Sequence, residues 1–384
     1  RGMPLDEAEV EAQLRAIMAD KPSESDVPIG ALTSLDRDRW AELRPVVEGA
    51  SAANAKAFSE IDRALFTLTL EDEAPVDQAD LSRCMLHGNC RNRWFDKSFS
   101  VIVCANGKAG VNWEHSWGDG VSMLRYFNEV FDEMTAEPAR EPAAPTSGME
   151  PLRWDLNDAS RKAVAEAEAA ADALVESAEL EIYETDALTK EDLKAQKLSP
   201  DGTMQMALQL AHQRMHGYTP STYESATTAA FKHGRTETIR SASPEAKAFA
   251  LAFCDDDVGK DMRLGLLRTA VDEHSKTTRD CMMGKGCDRH LFALRKKAES
   301  RGESPALFQD PSYSVFTDIR LSTSTLASPA LDGGGFGPIS PRAYSVGYGI
   351  EQRGSRFHVM TNKLGTKEFV EHIEAALRDI HDTI

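Results

Sequence analysis

The residues of this chain most capable of chemistry lie in a few short runs, and the first is Val111-Asn112-Trp113-Glu114-His115-Ser116-Trp117-Gly118-Asp119-Gly120. It sets a histidine four residues before a carboxylate. Imidazole titrates near neutrality, and a neighbouring acid fixes its tautomer and stabilises the imidazolium, so His115 reads as a general base with Asp119 as its partner. Taken alone, a structural histidine satisfied by an acid is the commoner meaning of such a pair. Lys190 and Lys194 stand one helical turn apart, ahead of Ser199-Pro200-Asp201, which has the make-up of a helix start. Two ammonium groups beside exposed helix-start amides suit a phosphate, although the same lysines also read as a solvated helix face.

Further along, period-two alternation in Thr222-Tyr223-Glu224-Ser225-Ala226-Thr227 puts Tyr223, Ser225 and Thr227 on one strand face, with Thr236 following in Gly234-Arg235-Thr236-Glu237-Thr238. Hydroxyls arranged this way bind a carboxylate, and Arg289 in Asp288-Arg289-His290 would add a bidentate charge. They are equally ordinary sheet residues, and the arginine equally a partner for a structural acid. Ser322-Thr323-Ser324-Thr325 offers donors for a developing oxyanion or else a polar strand edge. The glycine-rich stretch from Asp332 to Gly337 lacks the context of a dinucleotide site, so it reads as backbone passing close to something, with Phe336 as its one large side chain.

These runs need elements to hold them. Ser98 to Cys104 reads as a strand, Asn106-Gly107 as a hairpin turn, and the strand after it carries Val111 and Trp113. Val121, Leu124, Phe127 and Phe131 then recur at helical spacing, so Gly118 to Gly120 marks a strand-to-helix turn. Leu5 to Met18, Asp36 to Val47, Arg161 to Glu179, the stretch from Ser199 to His216 and Thr366 to Asp382 read as helices, and Leu65 to Leu70 as a strand. The alternation indicates an α/β or α+β class. Between Thr135 and Gly148 the composition turns to Pro, Ala, Glu and Ser, a candidate hinge or surface excursion.

At 384 residues the chain has room for two domains of ordinary size or one large one, and its formal charge of −18, from 62 acidic and 44 basic residues without a basic block, argues against nucleic-acid binding. Apolar stretches are interrupted well short of a bilayer-spanning length. Six cysteines occur without CxxC spacing or paired histidines, which argues for free thiols over a zinc site or a disulfide framework. Arg1-Gly2-Met3-Pro4 has neither a signal-peptide core nor a transit-peptide pattern and looks like a chain entered partway.

Together and in order, NRWFDKSF (Asn92 to Phe99), EHSWGDGV (Glu114 to Val121), QKLSPD (Gln196 to Asp201), TYESATTAAFKHGRTETIR (Thr222 to Arg240), DRHLFALR (Asp288 to Arg295) and LSTSTLASPA (Leu321 to Ala330) resemble the motifs of the choline/carnitine O-acyltransferases. The likeness is strongest to the long-chain branch of the mitochondrial inner membrane. It implies two chloramphenicol-acetyltransferase-like α/β domains, mixed sheets flanked by helices, with an active-site tunnel at their interface. Residues 1–134 would be the later part of the N-domain, 135–150 a hinge or surface loop, and 151–384 the C-domain.

Carried over by motif, the resemblance implies His115 as general base, Asp119 as its orienting partner, and Lys190, Lys194, Ser199 and Asp201 as coenzyme A contacts. Tyr223, Ser225, Thr236 and Arg289 would hold the carnitine carboxylate, Ser322 and Ser324 would line the reacting centre with Ser324 the oxyanion donor, and Phe336 would pack near the trimethylammonium. Gly334, where short-chain enzymes carry a bulky methionine, would leave a channel open for a longer acyl tail. Acyl-CoA and L-carnitine are the implied substrates, coenzyme A acting as co-substrate, with no metal or redox cofactor and no nucleic acid. The implied location is the matrix side of the mitochondrial inner membrane.

The family's chains carry an N-terminal section ahead of the point matching Leu5, including the membrane-associating insertion of the long-chain branch, and this sequence lacks it. Any peripheral membrane attachment would run through that section. Two readings follow: the catalytic part of a long- or medium-chain carnitine acyltransferase, and a non-catalytic acyl-CoA- or carnitine-binding remnant or fragment that requires a complementary chain.

Overall fold

Several helices are started by a side chain that satisfies their first backbone N–H groups. Asp36, Ser51, Asp77, Ser199 and Ser243 each accept from N–H groups of the following turn, and Thr189 and Asp192 form a reciprocal capping box. Each such cap contributes about 1 kcal/mol. The computed structural model describes residues 7–20, 26–136 and 149–384. The hinge expected at 135–150 falls largely on 137–148, outside the described residues.

The chain divides into two compact units, one of residues 1–118 and 126–176, the other of 119–125 and 177–384. The first contains α1 (Glu7–Ala19), a 3-10 turn (Ile29–Ser34), α2 (Arg37–Glu48), α3 (Ala52–Arg63), β1 (Thr67–Glu71), α4 (Gln78–Leu86), β2 (Phe99–Cys104) and β3 (Ala109–Trp113), then most of α5 (Gly120–Ala136) and α6 (Asp158–Ser177). Its sheet pairs β1 with β2 in parallel and β2 with β3 antiparallel. Its core is aromatic where the helices meet: Phe58 lies 5.0 Å from Trp154 and 6.1 Å from Trp40, centroid to centroid. Ala163, Val164 and Ala167 of α6 are small enough to close over that cluster. The helix expected to reach Glu179 stops at Ser177, because Glu179 already begins a strand.

The second unit contains β4 (Glu179–Thr185), α7 (Lys190–Ala195), α8 (Pro200–His216), β5 (Thr222–Thr227), β6 (Thr236–Ile239), α9 (Pro244–Phe253), α10 (Lys260–Met282), α11 (Asp288–Glu299), α12 (Ala306–Gln309), α13 (Pro311–Thr317), β7 (Leu321–Thr325), β8 (Tyr344–Ile350), β9 (Ser355–Thr361) and α14 (Thr366–Thr383). Six strands form one mixed sheet in the order β4-β9-β8-β7-β5-β6, with β7 parallel to both its neighbours. Mixed sheets flanked by helices are what the fold-class reading expected. The Ser-Thr-Ser-Thr run is therefore an interior strand and not a sheet edge.

Alternation gives this sheet two unlike faces. Val346, Tyr348, Phe357 and Val359 belong to the core built with α8, α9, α10 and α14, whose Phe249, Phe369, Ile373 and Leu377 are buried. Residues of opposite parity, including Ser322, Ser324, Gly347 and His358, share the other side, where the segment 326–343 that joins β7 to β8 packs on Gly347 and His358. A Cβ on Gly347 would lie 2.6 Å from the Gly334 carbonyl oxygen, so only glycine lets that loop sit down on the strand. No helix among the described residues is long and apolar enough to cross a membrane.

Candidate active site

In the first unit, β3 ends at Trp113 and an exposed turn presents His115, whose ring centroid lies 6.3 Å from that of Trp113. The turn is shaped locally: the Glu114 carboxylate accepts from the Ser116 N–H at 2.9 Å and from its hydroxyl, and the Trp117 indole N–H donates to the Ser98 carbonyl at 2.6 Å. Asp119 clusters with the second unit. There its two carboxylate oxygens receive the Arg235 guanidinium, Nε at 3.2 Å and Nη2 at 3.0 Å. Arg235 was not singled out from sequence, although it stands within the Gly-Arg-Thr run and a planar donor fork is what a fixed carboxylate needs.

The residues expected to bind a carboxylate come together. Arg289, at the start of α11, donates from Nη2 to the Tyr223 hydroxyl at 3.2 Å and to the Thr236 hydroxyl at 3.4 Å, and its guanidinium carbon lies 5.6 Å from the Tyr223 ring centroid. Ser225 shares the Tyr223 side of β5. The arginine is aimed by neighbours that sequence reasoning missed: Glu237 accepts from the Arg289 backbone N–H at 3.2 Å, and Asp288 pairs with Arg240, itself stacked on Phe316. A Cβ on Gly286 would lie 2.3 Å from the Glu237 side chain, which is the detectable signal there: a glycine ahead of a charged pair.

Ser322 and Ser324 lie on the same side as Tyr223, since β5 and β7 are parallel and Tyr223 is level with Ser322. Ser322 is buried and Ser324 half-buried. Phe336 is half-buried in the following loop, and Gly334 is exposed with open space where a side chain would begin. Lys190 and Lys194 lie on α7, immediately before the N-terminus of α8, where Ser199 accepts from the Gly202 N–H at 3.2 Å. Asp201 follows, but its Oδ1 takes the Tyr348 hydroxyl at 2.6 Å.

That contact opens a buried polar cluster. His274 Nε2 and the Glu224 carboxylate are 2.7 Å apart, and the Ser241 hydroxyl donates to the same carboxylate oxygen at 2.6 Å. Burial pushes the Glu224 carboxyl above its ordinary range. Burial acts to lower His274, but the bond to Glu224 and the charges of Glu224 and Asp201 outweigh it and raise the ring. Both shifts keep a proton on the pair. Asp201, Glu224 and His274 also bring three ligand-type atoms within 4.8 Å of one another, a spacing compatible with a cation, though hydrogen bonds already engage them.

The pattern that defines the choline/carnitine O-acyltransferases matches residues 1–377. The chain belongs to that family. Mitochondrial carnitine O-palmitoyltransferase 2 of Xenopus tropicalis is 41% identical over 97% of this chain, and its Homo sapiens counterpart 40% identical over 98%. This choline/carnitine O-acyltransferase chain spans 58% of the length of each. Among solved structures, the trichothecene 15-O-acetyltransferase TRI3 of Fusarium sporotrichioides overlays 85% of the chain and 78% of its own, with 10% identity and a TM-score of 0.43.

Proposed function

We propose that this chain carries the base and the substrate contacts for reversible transfer of a long- or medium-chain acyl group between coenzyme A and the hydroxyl of L-carnitine. One observation carries the choice of acceptor: Arg289 donates to both Tyr223 and Thr236 in a family whose members serve choline or carnitine. Carnitine has a carboxylate for that cation and choline does not. The open space at Gly334 supports a longer acyl tail over acetyl.

In this reading His115 takes the proton of the carnitine hydroxyl as it attacks the thioester carbonyl and returns it to the departing coenzyme A sulfur as the C–S bond breaks, a contribution of about 10²–10⁴-fold. Asp119, clamped by Arg235, orients the base. Ser324 donates to the developing oxyanion, Phe336 faces the trimethylammonium, and Lys190, Lys194, Ser199 and Asp201 hold coenzyme A. In the reverse direction the same histidine takes the proton of the coenzyme A thiol. Both substrates meet at one histidine, so no acyl-enzyme is needed and sequential kinetics are expected. The names of the relatives support a mitochondrial location, and the motif resemblance extends the proposal to fatty-acid oxidation at the matrix side of the inner membrane.

The test is thiol release from palmitoyl-CoA with L-carnitine, beside His115→Ala and an acetyl-CoA control. Release that depends on carnitine, is lost in the variant and is weak with acetyl-CoA is the expected result. A folded chain that releases no thiol would sink autonomous catalysis and favour the second reading, a binding remnant or a fragment needing a complementary chain.

A further inference from the structure

The polar groups on the helix-covered face of the six-stranded sheet are spaced between the candidate site residues of the opposite face. Glu224 separates Tyr223 from Ser225, and Thr323 separates Ser322 from Ser324. Both are buried. Their partners form two arms. In one, Glu224 is held by His274 of α10 at 2.7 Å and by Ser241 at 2.6 Å. In the other, Gln205 of α8 donates to the Thr323 hydroxyl and to the Tyr348 hydroxyl, both at 2.9 Å. Tyr348 donates to Asp201 at 2.6 Å, and Thr323 donates to the Tyr223 carbonyl at 3.0 Å. The arms approach where Asp201 nears Glu224 and His274.

A buried hydrogen-bonded side chain fixes the backbone that carries it, and in a strand that fixes the direction of both flanking side chains. The first arm bears on the strand of Tyr223 and Ser225. The second bears on Asp201 and on the strand of Ser322 and Ser324, and touches β5 through the Thr323 bond to the Tyr223 carbonyl.

We infer that His274 and Glu224 are positioning residues for the carboxylate-binding strand, and that Tyr348 and Gln205 are positioning residues for the coenzyme A side. The inference rests on the function proposed above, and its force lies in separability. Loss of the first arm should weaken the carboxylate ligand, and loss of the second should weaken the thioester ligand. A general loss of stability would weaken both together.

The experiment compares His274→Leu, His274→Gln and Tyr348→Phe with the parent chain. It measures L-carnitine and coenzyme A binding separately by calorimetry, thermal midpoints, and amide hydrogen exchange across β5 and β7. His274→Leu should weaken L-carnitine by about tenfold, the size of one hydrogen bond to a charged group, and leave coenzyme A within about twofold. His274→Gln, which can still donate to Glu224, should recover most of the loss. Tyr348→Phe should show the reverse preference. Exchange at 222–225 should rise more in His274→Leu than in Tyr348→Phe, whose link to β5 runs through Gln205 and Thr323.

Equal weakening of both ligands in both variants, following the fall in thermal midpoint, would overturn the assignment. So would unchanged exchange at β5 in a folded His274→Leu chain. A parent chain that binds neither compound would count against the proposed function alone, because the exchange measurement still decides whether the arms are separate.

Discussion

On the helix side of β5 and β7, Glu224 and Thr323 are shut away from solvent and bonded to residues of α8 and α10. On the loop side Tyr223, Ser225 and Ser324 keep part of their surface accessible. The two sets alternate along the same ten or so ångströms of strand, by the usual rise per residue, so propensity and composition cannot explain the difference. What differs is the covering. Helices bring side chains that complete a polar network, whereas the glycine-rich loop brings backbone, which leaves room at Gly334. A buried carboxylate must be paired to be tolerated, while an accessible hydroxyl can wait for a ligand. The helix face should therefore answer first to stability measurements, and to binding through the strands it positions, whereas the loop face should answer to binding measurements directly.

The hardest test of that division is Glu224→Ala. It removes one member of a buried charged pair, leaving His274 and Ser241 without their acceptor, and should cost about 3–5 kcal/mol. A urea titration reads this directly. Tyr223→Phe, one residue away on the other face, should stay within about 1 kcal/mol. Similar losses from both would dissolve the distinction.

Next in size is the converse on the loop side. Arg289 is exposed, and its bonds to Tyr223 and Thr236 are long, so Arg289→Ala should barely move the thermal midpoint. It should nevertheless weaken L-carnitine by about 10–100-fold, the range for a charge-assisted contact. Arg289→Lys should recover little, since an ammonium cannot serve two hydroxyls and a carboxylate with one planar fork. A large fall in stability with unchanged carnitine affinity would move Arg289 to the structural side.

How much of this was legible in the sequence follows from what each residue depends on. Helix starts such as Ser199-Pro200 and strands such as Thr222–Thr227 depend on neighbours along the chain, and they form close to where pattern puts them. The helix Ala52–Arg63 was missed because its apolar face is thin, with Ala57 and Phe58 its only buried apolar residues. The interior position of Ser322 to Thr325 was illegible because strand order is set by long-range pairing, and four hydroxyl-bearing residues look like an edge until both neighbours are known. Convergence of Tyr223, Thr236 and Arg289 came through motif resemblance. The supports Arg235, Glu237, Arg240 and His274 did not, because each acts through a residue distant in sequence.

The smallest expected effect sharpens the comparison by pH, because the buried histidine on the loop face, His358, is shifted opposite to His274 on the helix face. His358 of β9, level with Gly347 and packed against the Gly333–Gly335 backbone, is lowered to about 4, chiefly by burial and then by the Arg356 charge. His212 of α8 is likewise lowered to about 4 by burial. Both start from 6.5 in the open chain, so the unfolded state takes up the proton first. Their contribution is present above pH 6.5 and lost as pH falls towards about 4, at about 1 kcal/mol each by pH 5.5. His274 is raised by Glu224, so its contribution is present below the ordinary histidine pKa and lost as pH rises through its elevated one. Thermal midpoints measured across pH should thus fall on both sides of a maximum. His358→Gln should flatten about half of the acid limb, His212 keeping the rest, and leave the alkaline one, whereas His274→Gln should flatten the alkaline limb alone. If one substitution flattened both limbs, the two faces would be titrating as a single unit, and the separation between the network that holds the strands and the surface that meets the ligand would fail at its most sensitive point.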